Sequence, residues 1–220
     1  ASHELRTPLT SLFGNAQLLS RALERGSPSS EELRAPVAIV LQQARRLQRL
    51  IEDLLDAERL RGKHMSLDLE EVDLSELVRT AIELERPLAG TRDIRLDVPD
   101  KPVIVQCDSG RLEQVVINLV NNALAHAPQS EHIDVRLRVA EERAEIEVQD
   151  YGPGIPAAEQ AQLFTPFYQV NRGQESREGL GLGLFISHEL VAAHGGTLDV
   201  SSSEGQGATF RVRLPLCRRS

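Results

Sequence analysis

The chain has 220 residues, enough for one or two domains at ~150 residues each. Apolar residues make up 40% and charged residues 26%, a balance that supports a packed core and excludes a disordered chain. A net charge of −8 argues against nucleic acid or an anionic membrane surface as the main partner, and the absence of a run of ~18 apolar residues argues against a bilayer-spanning helix. No basic segment followed by an apolar stretch reads as a secretion signal. Two cysteines, Cys107 and Cys217, form no disulfide framework, and the expected compartment is the reducing cytoplasm. The charge is uneven: residues 1–62 carry 9 basic and 8 acidic side chains, whereas residues 63–220 carry 16 and 25. Two domains with that boundary are expected.

Leu5, Leu9, Leu12, Ala16, Leu19 and Leu23 recur at spacings of four and three, which predicts a helix with one apolar seam. Turn residues at 26–30 end it. Ser29 and Glu32 then read as a capping box for a second helix carrying Leu33, Val37, Val40, Ala44, Leu47, Ile51 and Leu54. Leu41, Leu50 and Leu55 widen the second stripe, Pro36 should bend that helix or delay its start, and Gly62 marks its stop. Two antiparallel helices cannot bury both stripes against each other, so a second copy completing a dimeric four-helix bundle is expected. The first pattern starts at residue 1 without a cap, which predicts that the natural helix continues upstream and that the chain is a fragment.

The first helix contains Ser2-His3-Glu4-Leu5-Arg6-Thr7-Pro8-Leu9. With Leu5 on the seam, His3 and Thr7 fall one turn apart on an outward face. An exposed neutral imidazole can act as a nucleophile, and Glu4 beside it can accept the ring proton. Pro8 cannot donate to the carbonyl of Glu4, so a kink is expected there. By itself, His3 is also an ordinary solvated histidine.

Residues 63–220 read as an α/β domain. Met65, Leu67 and Leu69 alternate like a short strand, and Asp73 with Glu76 opens a helix. Strand patterns follow at 94–98 and 103–105. Asp108-Ser109-Gly110 opens a helix whose core side holds Leu112, Val115, Val116, Leu119, Val120 and Ala123. Its other stripe holds Arg111, Gln114, Asn118 and Asn122. Asparagine is a poor mid-helix residue, and two of them at i, i+4 offer amide oxygens to a hard cation such as Mg²⁺. After strands at 133–139 and 144–148 comes Asp150-Tyr151-Gly152-Pro153-Gly154-Ile155, where a carboxylate could accept a hydrogen bond from an exocyclic amine and the glycines admit a planar ring. The stretch 152–180 reads as a long loop with a brief helical signal near 157–164. Phe164 and Phe167 would pin it to the domain, and Arg172 and Arg177 would reach a polyphosphate. Gly179-Leu180-Gly181-Leu182-Gly183-Leu184 runs into a helix ended by Gly195-Gly196, and glycines at a helix start expose backbone N–H groups to phosphate. These glycines alternate and follow a loop, unlike the Gly-x-Gly-x-x-Gly turn of a dinucleotide fold. A hairpin at 197–200 and 208–214 closes the chain. Gly205 and Gly207 in its turn are either under a nucleotide or ordinary turn glycines.

In their order, these segments resemble the motif series of sensor histidine kinases. Residues 2–9 resemble the H box, Asn-Leu-Val-Asn-Asn-Ala at 118–123 the N box, and Asp-Tyr-Gly-Pro-Gly-Ile at 150–155 the G1 box. Leu-Phe-Thr-Pro-Phe-Tyr at 163–168 is similar to the F box, residues 179–184 to the G2 box, and residues 205–210 to the last Gly box. The resemblance covers essentially the whole chain. It implies a helical phosphoacceptor and dimerisation hairpin followed by an α/β sandwich, a mixed sheet with helices on one face, that binds ATP and Mg²⁺. It implies that His3 is phosphorylated with Glu4 as base, that Asn118 and Asn122 hold Mg²⁺ and phosphates, and that Asp150 binds the adenine amine. Gly152, Gly154, Gly179, Gly181, Gly183, Leu184 and Thr209 would line the pocket and lid. The implied partners are a second copy, an upstream sensor domain and the receiver domain of a response regulator. Thr7 in Glu4-x-x-Thr7 would orient a water for dephosphorylating that regulator, and a phosphatase-dominant protein is one alternative. Three positions depart from the pattern: Ala125 where Lys is common, Gln169 where Arg is common, and Leu180 for Thr. The two lost cations favour a second alternative, a non-catalytic nucleotide-binding scaffold.

Overall fold

Residues 2–26, 29–62, 66–170 and 180–217 are described by a computed structural model, which divides the chain into two units, Ala1–Arg59 and Leu60–Ser220. The first holds α1 (Ser2–Glu24) and most of α2 (Ser30–Arg61). Helix α1 runs through Pro8, where the Glu4 carbonyl loses its i+4 donor. Pro36 does not delay α2: the backbone N–H of Leu33 already donates to Ser29 at 3.4 Å, so the helix is under way before the proline. The Glu32 half of the expected capping box lies outside the described side chains. Leu5, Leu12 and Leu19 of the expected seam are partly covered, while Leu9, Phe13 and Leu23 are 53%, 63% and 62% exposed. On α2, Val37, Leu41, Ile51 and Leu55 are exposed as well. Asp53 has its carboxyl pushed up to about 6, first by burial and then by the charge of Asp56.

The second unit runs β1 (Glu70–Asp73), α3 (Leu74–Glu85), β2 (Asp93–Asp97), β3 (Ile104–Cys107), α4 (Ser109–His126), β4 (His132–Ala140), β5 (Arg143–Gln149), the short α5 (Ala157–Gln160), α6 (Gly183–Ala193), β6 (Thr197–Ser202) and β7 (Ala208–Pro215). The expected strand at 65–69 is displaced: residues 66–69 join no ladder, Leu69 is half-exposed, and the strand begins at Glu70, where β3 offers an antiparallel partner. Five strands form a mixed sheet in the order β2-β4-β5-β7-β6, with β2 and β4 parallel and the rest antiparallel.

Alternation divides this sheet into two faces. Ile94, Ile133, Val135, Leu137, Ile146, Val148, Phe210 and Val212 point to one face and are buried against α3, α4 and α6, which bring Leu74, Ile82, Leu112, Leu119, Ile186 and Leu190. The other face bears rows of alternating charge. One row runs Asp97, Arg136, Glu147, Arg211, Asp199, and in it Arg211 Nη2 meets Glu147 Oε1 at 2.5 Å. The next row holds Arg138, Glu145 and Arg213, with Arg213 Nε donating to Glu145 at 2.8 Å. Exposed pairs contribute about 0–1 kcal/mol each, so the apolar face carries the stability.

Aspartates start two of the three packed helices. Asp108 Oδ1 accepts from the Arg111 N–H at 3.1 Å at the start of α4. Asp73 Oδ1 accepts from the N–H of Ser75 and from that of Val103, each at 3.0 Å, so it caps α3 and joins it to the chain entering β3. Val103 is buried, and Asp73→Ala would leave its N–H without that acceptor. The expected loss is about 2–3 kcal/mol, with Asp73→Asn retaining most of the stability. Urea unfolding of the full chain followed by far-UV circular dichroism checks this, and a loss under 0.5 kcal/mol would refute it.

Candidate functional site

Strand β5 ends by turning Asp150 toward the helices. Residues 144, 146 and 148 are buried, and Asp150 continues that series at 5% exposure. Its Oδ1 accepts from the N–H of Gly152 at 2.8 Å and of Ala208 at 3.3 Å, and its own N–H donates to the Ala208 carbonyl at 2.9 Å. The carboxylate is thereby oriented by backbone donors that suit its charged form.

The glycines around it have different reasons. Gly207 has φ +79°, and a methyl group there would stand 2.0 Å from the Asp150 carbonyl oxygen. Gly154 has φ +72°, and a methyl there would stand 1.9 Å from the Ser203 carbonyl oxygen. The turn after β5 and the turn between β6 and β7 therefore pass within a hydrogen atom of each other. The Gly205 N–H donates to Pro153 O at 2.8 Å and the Ile155 N–H to Ser202 Oγ at 2.8 Å. Gly205 itself, at φ +77°, faces open space and is a turn glycine. A methyl on Gly152 would meet His126 O and Ala127 Cβ at 3.0 Å, which sets the Asp150 turn against the end of α4.

Asn118 and Asn122 are half-buried on α4. The Asn118 amide lies 3.7 Å from where a Cβ on Gly183 would stand, so the start of α6 and the asparagine stripe form one cradle. Asn118 Nδ2 is buried and finds no hydrogen-bond partner among the described residues. The start of α6, unlike those of α3 and α4, has no side-chain cap: Leu182 holds the N-cap position, and Leu184 is half-buried in the first turn. An orphaned amide donor beside uncapped helix N–H groups fits anionic oxygens.

The remaining expected residues separate. Gly181, at φ +67°, packs on the backbone of Phe167 and Tyr168, and its carbonyl accepts the Phe167 N–H at 2.9 Å. Phe164 stacks on His188 of α6 at 5.2 Å, pinning the 157–170 segment as expected of it. Phe167 is held through its backbone at φ +66°, while its side chain is 47% exposed. Thr209 is not brought to the Asp150 side: alternation sets it in the outward row with Gln149 and Ser201, and Ala208 takes the place beside Asp150. Glu4 is half-buried and Thr7 exposed on α1, which also carries His3; the His3 side chain, Arg172, Arg177 and Gly179 lie outside the described residues. Four residues escaped the motif reading. Gln160 Nε2 donates to Ile155 O and Ser202 O, clamping the two turns. His194 accepts the Asp108 N–H at Nε2 and donates from Nδ1 to Leu190 O, joining the end of α6 to the start of α4. Ser130 and Asp134 both hold Tyr151, by a 3.2 Å bond to its N–H and a 2.6 Å bond from its hydroxyl.

A helix-backed mixed sheet with such a cradle at one end defines a nucleotide-binding sandwich of the ATPase class. Residues 107–218 match the family model of histidine kinase-, DNA gyrase B- and HSP90-like ATPases, and residues 1–63 match that of the His kinase A phosphoacceptor domain. The chain belongs to the sensor histidine kinases. It is 35% identical over 219 residues to the sensor histidine kinase TmoS of Ectopseudomonas mendocina, covering 98% of this chain and 22% of that protein. Among solved structures it resembles full-length ShkA in complex with AMPPNP, at TM-score 0.73 and 30% identity over all of this chain and 45% of that one. It also resembles the Acinetobacter baumannii histidine kinase AdeS, at TM-score 0.70 and 26% identity over 98% of both chains. The chain spans 22% to 46% of the length of the first curated relatives it matches. Among the described residues no helix is long and apolar enough to cross a membrane.

Gly207→Ala and Gly205→Ala separate packing from turn strain, because both positions have positive φ and only one is enclosed. Gly205→Ala is expected to cost about 1 kcal/mol, and Gly207→Ala more than about 3 kcal/mol together with a loss of nucleotide binding. Thermal unfolding and ATP titration of the two variants measure this, and equal effects would refute the packing role.

Proposed function

We propose that this chain is an autophosphorylating core that binds Mg-ATP in the Asp150–Asn118–Gly183 cradle, phosphorylates His3 and passes the group to an aspartate of a response regulator. The observation that carries the reading is the orphaned Asn118 amide beside the uncapped start of α6, in a domain of the histidine kinase ATPase family. Asp150 accepts from the adenine amine, and Asn118, Asn122 and the N–H groups from Gly183 onward receive the phosphates. Asn118 and Asn122 would hold Mg²⁺ through their amide oxygens, and the ion would supply neutralisation of the phosphate charge. The lone pair of a His3 ring nitrogen attacks the γ-phosphorus, the bond to the β,γ-bridging oxygen breaks, ADP leaves and the ring proton goes to Glu4. A carboxylate oxygen of the regulator then attacks the same phosphorus and the P–N bond breaks.

Dimerisation is supported by the exposed apolar side chains of α1 and α2. Leu9, Phe13, Leu23, Leu41 and Leu55 are each more than half exposed, a stripe that a second copy of the hairpin would cover. The same helix supports a phosphatase reading, in which the exposed Thr7 orients a water for attack on the regulator's acyl phosphate. A scaffold without transfer is favoured by Ala125, exposed at the end of α4, and by Gln169, exposed in the 157–170 segment, neither of which brings a charge.

With γ-labelled ATP and Mg²⁺, the chain is expected to acquire acid-labile, base-stable label that His3→Gln abolishes. Acid-stable label, or label that survives the substitution, would overturn the kinase reading. Thr7→Ala is expected to slow regulator dephosphorylation by about 10²-fold while leaving autophosphorylation within about twofold, followed as loss of label from the purified phosphorylated regulator. Equal loss of both activities would remove the separate role of Thr7.

A further inference from the structure

Tyr151 opens the turn that follows β5 and is 43% exposed, and nothing in the proposed mechanism uses its side chain. The alternation of β5 explains where it goes. Residues 145, 147 and 149 face the charged side of the sheet, and Tyr151 continues that row while Asp150 points to the helices. Its hydroxyl donates to Asp134 Oδ2 at 2.6 Å. Asp134 is 8% exposed on β4, and the same oxygen receives Arg136 Nη2 at 2.5 Å, while Arg136 Nη1 donates to Gln149 Oε1 at 2.8 Å. The ring packs against His132 with centroids 4.8 Å apart. The Tyr151 N–H donates to Ser130 Oγ at 3.2 Å, and the Ser130 N–H donates to Ala127 O at the end of α4 at 3.1 Å.

One residue thus ties the peptide that follows Asp150 to two places, the turn after the asparagine-bearing helix and the next strand. Movement of Asp150 requires rotation about the bonds that Tyr151 fixes. Asp134 is a firm anchor because it is itself buried and is held by the half-buried Arg136 two residues along β4, with His132 Nε2 3.9 Å from its other oxygen; the phenol is pushed above its usual range by its hydrogen bond to Asp134.

We propose that Tyr151, anchored by Asp134, is a positioning residue for nucleotide recognition: it acts from the rear of β5 to hold the Asp150 carboxylate in line with the exocyclic amine of adenine, and so sets the preference for adenine over 6-oxo purines. The proposal rests on the reading that Asp150 receives that amine. A hydrogen bond of this kind, once removed, is expected to shift the alignment-dependent part of affinity by about 5- to 10-fold. Phosphate binding at Asn118 and the start of α6 does not depend on it.

The test is titration of the full chain, with Mg²⁺ present, by ATP and by inosine triphosphate, which carries a carbonyl where adenine carries the amine. For Tyr151→Phe the ATP affinity is expected to fall about 5- to 10-fold while the inosine triphosphate affinity stays within about twofold, and the KM for ATP in autophosphorylation rises with kcat unchanged. Asp134→Ala should do the same, and the double variant should add nothing further. Asp134→Asn, whose amide oxygen still accepts the hydroxyl, should retain the preference. Thermal unfolding of each variant accompanies the titrations, so that Asp134→Asn keeps the question open to decision if Asp134→Ala fails to fold. Equal weakening of both nucleotides, or an unchanged preference in Tyr151→Phe, overturns the positioning role. Asp150→Asn serves as the arm for the underlying reading: if it leaves the preference intact, that reading falls and the positioning role falls with it, whereas loss of preference in Asp150→Asn but not in Tyr151→Phe overturns the positioning role alone.

Discussion

At Gly207 the chain leaves room for a hydrogen atom and nothing larger, and the geometry of the nucleotide domain's site follows from that closeness. The turn after β5 and the β6–β7 turn meet at two glycines of positive φ, Gly154 against Ser203 and Gly207 against Asp150. Their approach brings the Ala208 N–H onto the Asp150 carboxylate, which would otherwise be a buried charge at 5% exposure without enough donors. Gln160 and Ser202 close the same junction from the side, through bonds to Ile155, Ser202 and Gly207 carbonyls. A ligand group that reaches Asp150 therefore meets a carboxylate already engaged by the backbone N–H groups of both turns.

The helices extend this rigidity to the other end of the cradle. Helix α4 is fixed at its start, where the Asp108 N–H is received by His194 and the Asp108 carboxylate caps the first turn. Near its other end Arg92 Nη1 reaches the Leu124 carbonyl at 2.5 Å. With both ends held, Asn118 and Asn122 have little freedom to slide along the sheet. Helix α6 is held at its end by the same His194 and left uncapped at its start. The asymmetry has a physical consequence: the uncapped N–H groups and the positive end of the helix dipole lie beside an amide nitrogen, Asn118 Nδ2, that has no partner among the described residues, so several donors converge where anionic oxygens would be accepted.

The helices and their caps were legible in the sequence because each signal is local: the four-three spacing of the hairpin leucines, and aspartates at 73 and 108 directly before apolar periods. The strand near residue 65 was misplaced because alternation reports a face and not a partner, and only pairing with β3 starts the ladder at Glu70. Thr209 was expected at the nucleotide because a motif records order along the chain, whereas the side of the sheet is decided by parity relative to Asp150. Gly205 and Gly207 were indistinguishable for the same reason; both have positive φ, and the difference lies in what stands opposite. The bond from Tyr151 to Asp134 joins residues 17 positions apart, and no local pattern shows it before the β4–β5 register is known.

The register also changes the meaning of the domain's acidity. On the open face of the sheet, Arg95, Arg136, Arg138, Arg143, Arg211 and Arg213 stand among Asp93, Asp97, Asp134, Glu145, Glu147 and Asp199, so that face is neutral by itself. Residues 63–220 hold 16 basic and 25 acidic side chains, and the whole surplus of carboxylates lies off that face. Six of the domain's arginines stand on that face, and Ala125 and Gln169 add no charge. Binding of a polyphosphate in such a domain cannot be driven by a long-range basic field, which acts over about 8–10 Å at ordinary ionic strength. At the proposed site it would depend on short-range donors: the Asn118 amide, the N–H groups at the start of α6, and whatever charge the nucleotide's own cation cancels. Affinity in such an arrangement would be a matter of fixed geometry, set by the tight turn at Gly207 and the tethered ends of α4.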